Sequence, residues 1–216
     1  MKVIIIEGNI ATGKSTLLNL IKEYFKENKK VQIIQEPIEN WQESKLFKLY
    51  YENQKQYSEL FQMYAFLSIL KNFLKQNYQE SDIIFIERSI YSSVNIFSTM
   101  LLERNCVRPI FHDMLQNSLL QFKEYILFPN YIFFLKTQDT EINILKQRIM
   151  ERGRKEEHDI SIEYLSHLNK IYNSVINSFK KEHVKIYDFS IHEENMLEFL
   201  KKFTQENLNM ENDNNN

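Results

Sequence analysis

Gly8-Asn9-Ile10-Ala11-Thr12-Gly13-Lys14-Ser15-Thr16 decides how this chain is read. It fits the spacing G-x-x-x-x-G-K-[ST] in full, and each fixed residue type answers a need of a bound polyphosphate. A loop that wraps its backbone N–H groups around phosphate oxygens must turn sharply and approach closely, which favours glycine at 8 and 13. Asn9, Ile10, Ala11, Thr12 and Thr16 complete the cradle, Lys14 is placed to reach the β- and γ-phosphates, and the Ser15 hydroxyl can ligate Mg²⁺. An ordinary glycine turn is the plain alternative, and the context speaks against it. The apolar run Val3–Ile6 reads as a buried strand before the loop, while Leu17, Leu18, Ile21, Tyr24 and Phe25 recur at helical spacing after it. The positive end of that helix would face the anion. Proteins average about 7% glycine, yet this chain has only three, Gly8, Gly13 and Gly153. The stretch predicts a site for a nucleoside triphosphate.

Outward from the loop, short β-branched runs at Val3–Ile6, Val31–Ile34, Ile83–Ile86, Tyr131–Leu135 and Val184–Tyr187 alternate with helical segments. Such nearly all-apolar runs suit strands covered on both faces. The pattern predicts an α/β fold of the P-loop NTPase type, an open parallel sheet of about five strands flanked by helices. Two further helical stripes are expected. Leu60, Phe61, Tyr64, Leu67, Leu70, Phe73 and Leu74 form one, and Phe111, Met114, Leu115, Leu119, Phe122 and Ile126 the other. Such stripes are usually core, and their aromatic excess leaves room for a helix-packed homodimer. The 216 residues suit one domain, taken as 1–203, with a polar tail at 204–216 that is expected to be disordered.

Composition narrows the function classes. A net charge of −2 offers no basic field for nucleic acid or an anionic membrane. The single cysteine, Cys106, excludes an internal disulfide and fits a reducing compartment. Neither a targeting segment nor a run long enough to span a membrane is legible, so a cytoplasmic enzyme is the simplest expectation.

In an open α/β sheet the carboxyl ends of the strands face the ligand crevice. Glu36 follows the second strand, where a carboxylate can accept the proton of an attacking hydroxyl. Trp41 could wall a flat aromatic substrate; the bland readings are a solvated strand end and a core tryptophan. Glu87 ends the third strand at the place of an acid that helps hold Mg²⁺, and Arg88 beside it could orient Glu36 and offset developing charge. A surface ion pair is the bland reading there. Arg148, Arg152 and Arg154 surround Gly153 as an arginine-rich lid would, unless they are simply a solvated helix end.

Taken together, Glu7-Gly8-Asn9-Ile10-Ala11-Thr12-Gly13-Lys14-Ser15-Thr16, Glu36-Pro37, Glu87-Arg88-Ser89-Ile90-Tyr91-Ser92 and Arg152-Gly153-Arg154-Lys155-Glu156-Glu157 resemble, in order and spacing, the deoxyribonucleoside kinase family. That family includes deoxycytidine kinase, deoxyguanosine kinase and the insect multisubstrate kinase. The resemblance runs from the first strand to about Leu168. It implies transfer of the ATP γ-phosphate to the 5′-hydroxyl of a small-molecule deoxynucleoside, with Glu36 as general base and Arg88 holding that base and the phosphoryl group. It further implies Ser15 and Glu87 at Mg²⁺, and Arg148, Arg152 and Arg154 on the ATP phosphates. Gln62 would read the base, Trp41 and Phe97 would sandwich or line it, and Tyr51 and Glu157 would read the sugar 3′-hydroxyl.

The chain departs from one branch of that family, which carries an aspartate where this sequence has Ser93 and an arginine where it has Ile69. The departure favours thymidine and deoxycytidine or broad specificity, although Tyr50, often a methionine, implies a tighter pocket. Two rival functions remain. A thymidylate-type monophosphate kinase would need further cations at the acceptor. A non-catalytic ATP-binding regulator would be expected to have lost Lys14, Glu36 or Arg88, and a switch protein would need a γ-phosphate-sensing segment that no remaining glycine can supply.

Overall fold

The computed structural model describes residues 1–74, 78, 80–179, 185–190 and 196–207. Five strands, β1 (Lys2–Gly8), β2 (Val31–Ile34), β3 (Ile83–Glu87), β4 (Tyr131–Lys136) and β5 (Lys185–Ser190), form one sheet in the order β2-β3-β1-β4-β5. Every neighbouring pair is parallel; Ile4 of β1, for example, aligns with Phe85 on one side and Tyr131 on the other. The expected open parallel sheet is therefore present, with the glycine loop leaving its central strand.

Among the described residues, ten helices flank it: α1 (Lys14–Tyr24), α2 (Ile38–Glu43), α3 (Leu46–Glu52), α4 (Gln54–Leu74), α5 (Ile90–Ser92), α6 (Thr99–Glu103), α7 (Pro109–Gln121), α8 (Ile142–Arg152), α9 (Ile162–Phe179) and α10 (Met196–Asn207). A π-helical turn, Ser93–Ser98, joins α5 to α6. Alternation along the central strands divides the core in two. Ile4, Ile6, Phe85 and Phe133 pack with Leu17, Leu18 and Ile21 of α1 and Leu200 and Phe203 of α10. Val3, Ile5, Ile84, Ile86, Ile132 and Phe134 face the larger core built by α3, α4, α7, α8 and α9.

Two expectations need correction. The α4 stripe does not face one way: Phe61, Leu70 and Phe73 are buried, whereas Leu60, Leu67 and Leu74 are exposed. On α7, Phe111, Leu115 and Leu119 are buried while Met114 is exposed. Seven-residue spacing explains the split on α4, because positions 60, 67 and 74 fall on a line of their own. The polar tail expected from 204 starts later, since α10 continues to Asn207 and Thr204 is buried, its hydroxyl donating to Leu200 O at 2.6 Å. Residues 208–216, like Val184 of the expected fifth strand, lie outside the described residues.

Gly8 and Gly153 are glycine for different reasons. Gly8 has φ +151°, and a Cβ there would stand 2.8 Å from Leu135 O of β4 and 2.7 Å from Thr12 Oγ1. Gly153 ends α8 at φ +72° with no atom near the space a Cβ would take. Gly8→Ala is therefore expected to cost about 2–4 kcal/mol, since strain and overpacking act together. Gly153→Ala should cost only about 1 kcal/mol, from the left-handed backbone alone. Urea unfolding of both variants, read as midpoint shifts at constant slope, checks the ranking.

Candidate active site

The carboxyl edge of the sheet opens into a cavity of about 1140 Å³. Its wall includes the loop from Ile10 to Thr16, and Glu36, Trp41, Tyr51, Gln62, Glu87, Arg88, Ser93, Phe97, Arg148, Arg152, Arg154 and Glu157. All the side chains expected at the base, the sugar and the lid thus meet around one space. Gly8 and Asn9 are buried beneath its floor.

The loop owes its shape to left-handed backbone at Ala11 (φ +63°) and Gly13 (φ +98°), the latter capping α1. Asn9 braces it from below, donating from Nδ2 to Leu165 O of α9 at 2.8 Å and accepting from Ile10 N at 2.8 Å. Lys14 Nζ donates to Gly8 O (3.0 Å) and Asn9 O (2.6 Å). Burial and then the nearby Arg88 charge bring its pKa down to about 7. Ser15 Oγ donates to Glu87 Oε1 at 2.6 Å, so the hydroxyl of the loop and the acid that ends β3 share one spot.

Arg88 follows Glu87 with φ +55°, a left-handed conformation that an arginine adopts at a cost of about 1–3 kcal/mol. The turn carries its guanidinium into the interior. There Arg88 Nε lies 2.8 Å from Glu36 Oε1, with only 6% and 11% of the two side chains exposed. The guanidinium also stands 4.5 Å over the Phe97 ring, and its Nη1 donates to the Tyr172 hydroxyl at 2.6 Å. Burial raises the Glu36 pKa, and Arg88 pulls against that rise while Glu87 adds to it. For Arg88, burial works against the charge, but Glu36 foremost, then Tyr172, Glu7 and Glu87, raise its pKa on balance. The pair is no surface ion pair. A carboxylate so placed can receive a proton, beside a cation able to face a phosphoryl group.

Trp41 is core and wall at once. It is buried, meets Phe61 edge-on at 5.5 Å, and donates its indole N–H to Ser68 Oγ at 2.7 Å. Arg88 covers one face of the Phe97 ring, which leaves the other face for the cavity. Gln62 and Ser93 are buried, and Gln62 Oε1 and Ser93 Oγ have no hydrogen-bond partner among the described residues. Unpartnered polar atoms in a cavity wall are open to a ligand or to water. Ile69 lines the same end.

Tyr50 stacks on Phe61 at 4.7 Å and shares a 2.8 Å hydrogen bond with the Tyr164 hydroxyl. Burial foremost, then Tyr164 and Glu157, raises the pKa of the adjacent Tyr51. Glu157 is buried and paired with Arg152 and, at 3.4 Å, with Arg154. The arginines around Gly153 are thus tied to the cavity wall instead of being free in solvent.

Sequence reasoning assigned nothing to Tyr164, Tyr172 or Ser92 and gave Glu7 no role of its own. Tyr164 and Tyr172 carried no signal beyond the apolar stripe of α9. Glu7 did carry one, an acid inside an otherwise apolar strand.

A glycine loop and a buried acid–arginine pair, set on neighbouring strand ends around one cavity, define an α/β phosphotransferase. The chain belongs to the deoxynucleoside kinase family, whose profile matches residues 4–212. It is 31% identical to the deoxycytidine kinase of Bos taurus and 30% to that of Homo sapiens, each over 81% of this chain and 75% of the relative. It is 32% identical to deoxycytidine kinase 1 of Xenopus laevis, over 78% and 71%. The protein is accordingly an ATP-dependent kinase of deoxynucleosides. Among the described residues no helix is long and apolar enough to cross a membrane.

Proposed function

We propose that this kinase moves the γ-phosphate of ATP to the 5′-hydroxyl of a pyrimidine deoxynucleoside, with Glu36 taking the hydroxyl proton. The observation that carries the reading is the 2.8 Å approach of Arg88 Nε to Glu36 in the wall that also holds the glycine loop. In this scheme the Gly8–Thr16 loop and Lys14 cradle the donor phosphates, and Arg148, Arg152 and Arg154 reach them from the opposite wall. Phosphoryl transfer needs little covalent help, so positioning and charge stabilisation do most of the work. Arg88 keeps Glu36 ionised against desolvation and faces the negative charge that spreads over the moving group. Tyr51 and Glu157 hold the sugar.

The hydroxyl of Ser15 and the carboxylate of Glu87 form a small, hard, all-oxygen donor set that suits Mg²⁺ with waters completing its shell. When bound, the ion would neutralise charge shared between the β- and γ-phosphates.

The orphaned Gln62 Oε1 and Ser93 Oγ support recognition of a base edge by hydrogen bonds. Three relatives named as deoxycytidine kinases favour cytosine among the bases. Uncharged Ile69 and Ser93 favour admission of thymidine as well. A monophosphate acceptor is the less favoured reading, because Glu36, an acid, stands where a second phosphate would need cations.

We also read the exposed line of Leu60, Leu67 and Leu74 on α4, beside Ile110 and Met114 on α7, as the face that meets a second copy of the chain. The Glu59–Arg108 ion pair at 2.6 Å ties the two helices together there.

An ADP-release assay tests the activity against thymidine, deoxycytidine, deoxyadenosine, deoxyguanosine, their ribo-counterparts and thymidine monophosphate. Turnover of the monophosphate alone would overturn the reading. Glu36→Gln is expected to lower kcat by roughly 10²–10⁴ while leaving substrate affinities nearly intact. The wild type should lose kcat/KM as pH falls through a limb above the ordinary carboxylate range, because the base must be ionised and burial raises its pKa. Ser93→Asp with Ile69→Arg should move preference away from thymidine, read as the ratio of kcat/KM values. Leu67→Lys should convert a dimer to a monomer in sedimentation at unchanged helicity; a wild-type monomer would refute the dimer face.

A further inference from the structure

We propose that Glu7 and Tyr172 are positioning residues for Arg88, and that through it they hold the acceptor side of the site in its working geometry. The proposal rests on the roles given above to Glu36 and Arg88. Neither Glu7 nor Tyr172 lines the cavity, so neither touches substrate.

Glu7 lies on the central strand, one residue before the glycine loop, with 2% of its surface exposed. A buried carboxylate in β1 is costly unless it is fully used. Oε1 accepts from Ser89 N at 3.1 Å, from Ser89 Oγ at 3.0 Å and from Ser92 Oγ. These bonds pin the chain just after the strained Arg88 turn to the neighbouring strand. Oε2 faces the Tyr172 hydroxyl at 3.5 Å. That contact is too long to carry much energy, but with Arg88 Nη1 donating to the hydroxyl oxygen, Oε2 is the acceptor on the side left to the phenol proton.

Tyr172 reaches this spot from α9 with no exposed surface. Its ring stacks on Phe134 at 6.2 Å and meets Phe97 edge-on at 6.3 Å, which leaves it no room to turn. With its proton directed at Glu7, the hydroxyl turns lone pairs toward Arg88 Nη1 and accepts from it at 2.6 Å. The guanidinium is a rigid plane. Tyr172 holds one edge, Glu36 stands 2.8 Å from Nε, and Phe97 supports the face. Remove the hydroxyl, and Nη1 loses its partner in a buried site. The plane is then held at one edge less and is free to turn away from Glu36.

Tyr172→Phe keeps the ring and deletes only the hydroxyl. The expected result is a ten- to hundredfold fall in kcat, on the order produced by a small misplacement of a catalytic group, with KM for ATP and deoxynucleoside nearly unchanged. In an Arg88→Lys background the same substitution should cost nothing further, because the group it positions is gone. Glu7→Gln keeps the shape but presents a donor where Oε2 stood, and should lower kcat in the same way. Should Tyr172→Phe fail to fold, Glu7→Gln carries the test by the same two readings. Wild-type kcat in these variants overturns the proposal, and so does a loss that adds in full to that of Arg88→Lys. Glu36→Gln, assayed alongside, separates the two claims: its retention of activity would sink the base assignment, whereas its loss beside a fully active Tyr172→Phe would sink only the positioning role.

Discussion

The site rests on a balance of buried charge at the carboxyl edge of the sheet. Three carboxylates, Glu7, Glu36 and Glu87, and two cations, Lys14 and Arg88, are almost entirely withdrawn from water within a few residues of the ends of β1, β2 and β3. Each would be expensive alone. They are tolerable because each has partners: Glu7 has the serines after β3, Lys14 the loop carbonyls, Glu87 the Ser15 hydroxyl, and Glu36 and Arg88 each other. Parallel strands make this possible, since they bring several chain ends to the same edge with one polarity. The same arrangement explains the direction of the shifts. Desolvation lowers the Lys14 pKa and raises that of Glu36, and the opposite charges only partly correct it.

Much of this was legible in the sequence because the relevant signals are local. A strand that turns through a glycine into a helix leaves a string of fixed spacing; four of the expected apolar runs fall wholly on strands, and the fifth does so from Lys185 on. Acid and arginine at a strand end are equally local, so Glu36, Glu87 and Arg88 could be singled out. Their convergence could be inferred only from the topology such strings imply. What escaped notice depends on contacts distant in the chain. Glu7 and Tyr172 are 165 positions apart, and α9 is a regular apolar stripe in which one tyrosine looks like any other. The α4 stripe was misread for a related reason. Helical spacing identifies apolar positions, but not whether they serve one face or two, and Leu60, Leu67 and Leu74 belong to a face turned away from the core.

The aromatic residues of the cavity wall make more contacts than a wall needs. Trp41 and Phe97 line it, yet each is already engaged, Trp41 with Phe61 and Ser68 and Phe97 with Arg88. Phe97 therefore joins two tasks. One face supports the guanidinium that meets Glu36, while the residue also forms part of the wall around the orphaned Gln62 and Ser93 atoms. A substituent that displaced this ring would disturb the cavity wall and the acid–arginine pair together.

The π-helical turn is what lets one short segment serve both tasks. Ser93–Ser98 is wound more widely than an α-helix, and such turns concentrate at functional sites because they redirect side chains without ending the helix. Here the turn brings Ser93 and Phe97 to the same cavity. Its outer side is stitched to α7, where Ser98 Oγ meets His112 Nδ1 at 2.9 Å and Gln116 donates to Asn95 at 3.1 Å. Its start follows Ser92, which is bonded to Glu7. The turn is thus held at one end by a buried carboxylate of the central strand and at the other by an outer helix. The cavity wall at Ser93 and the ring beneath Arg88 share a support that begins one position before the glycine loop.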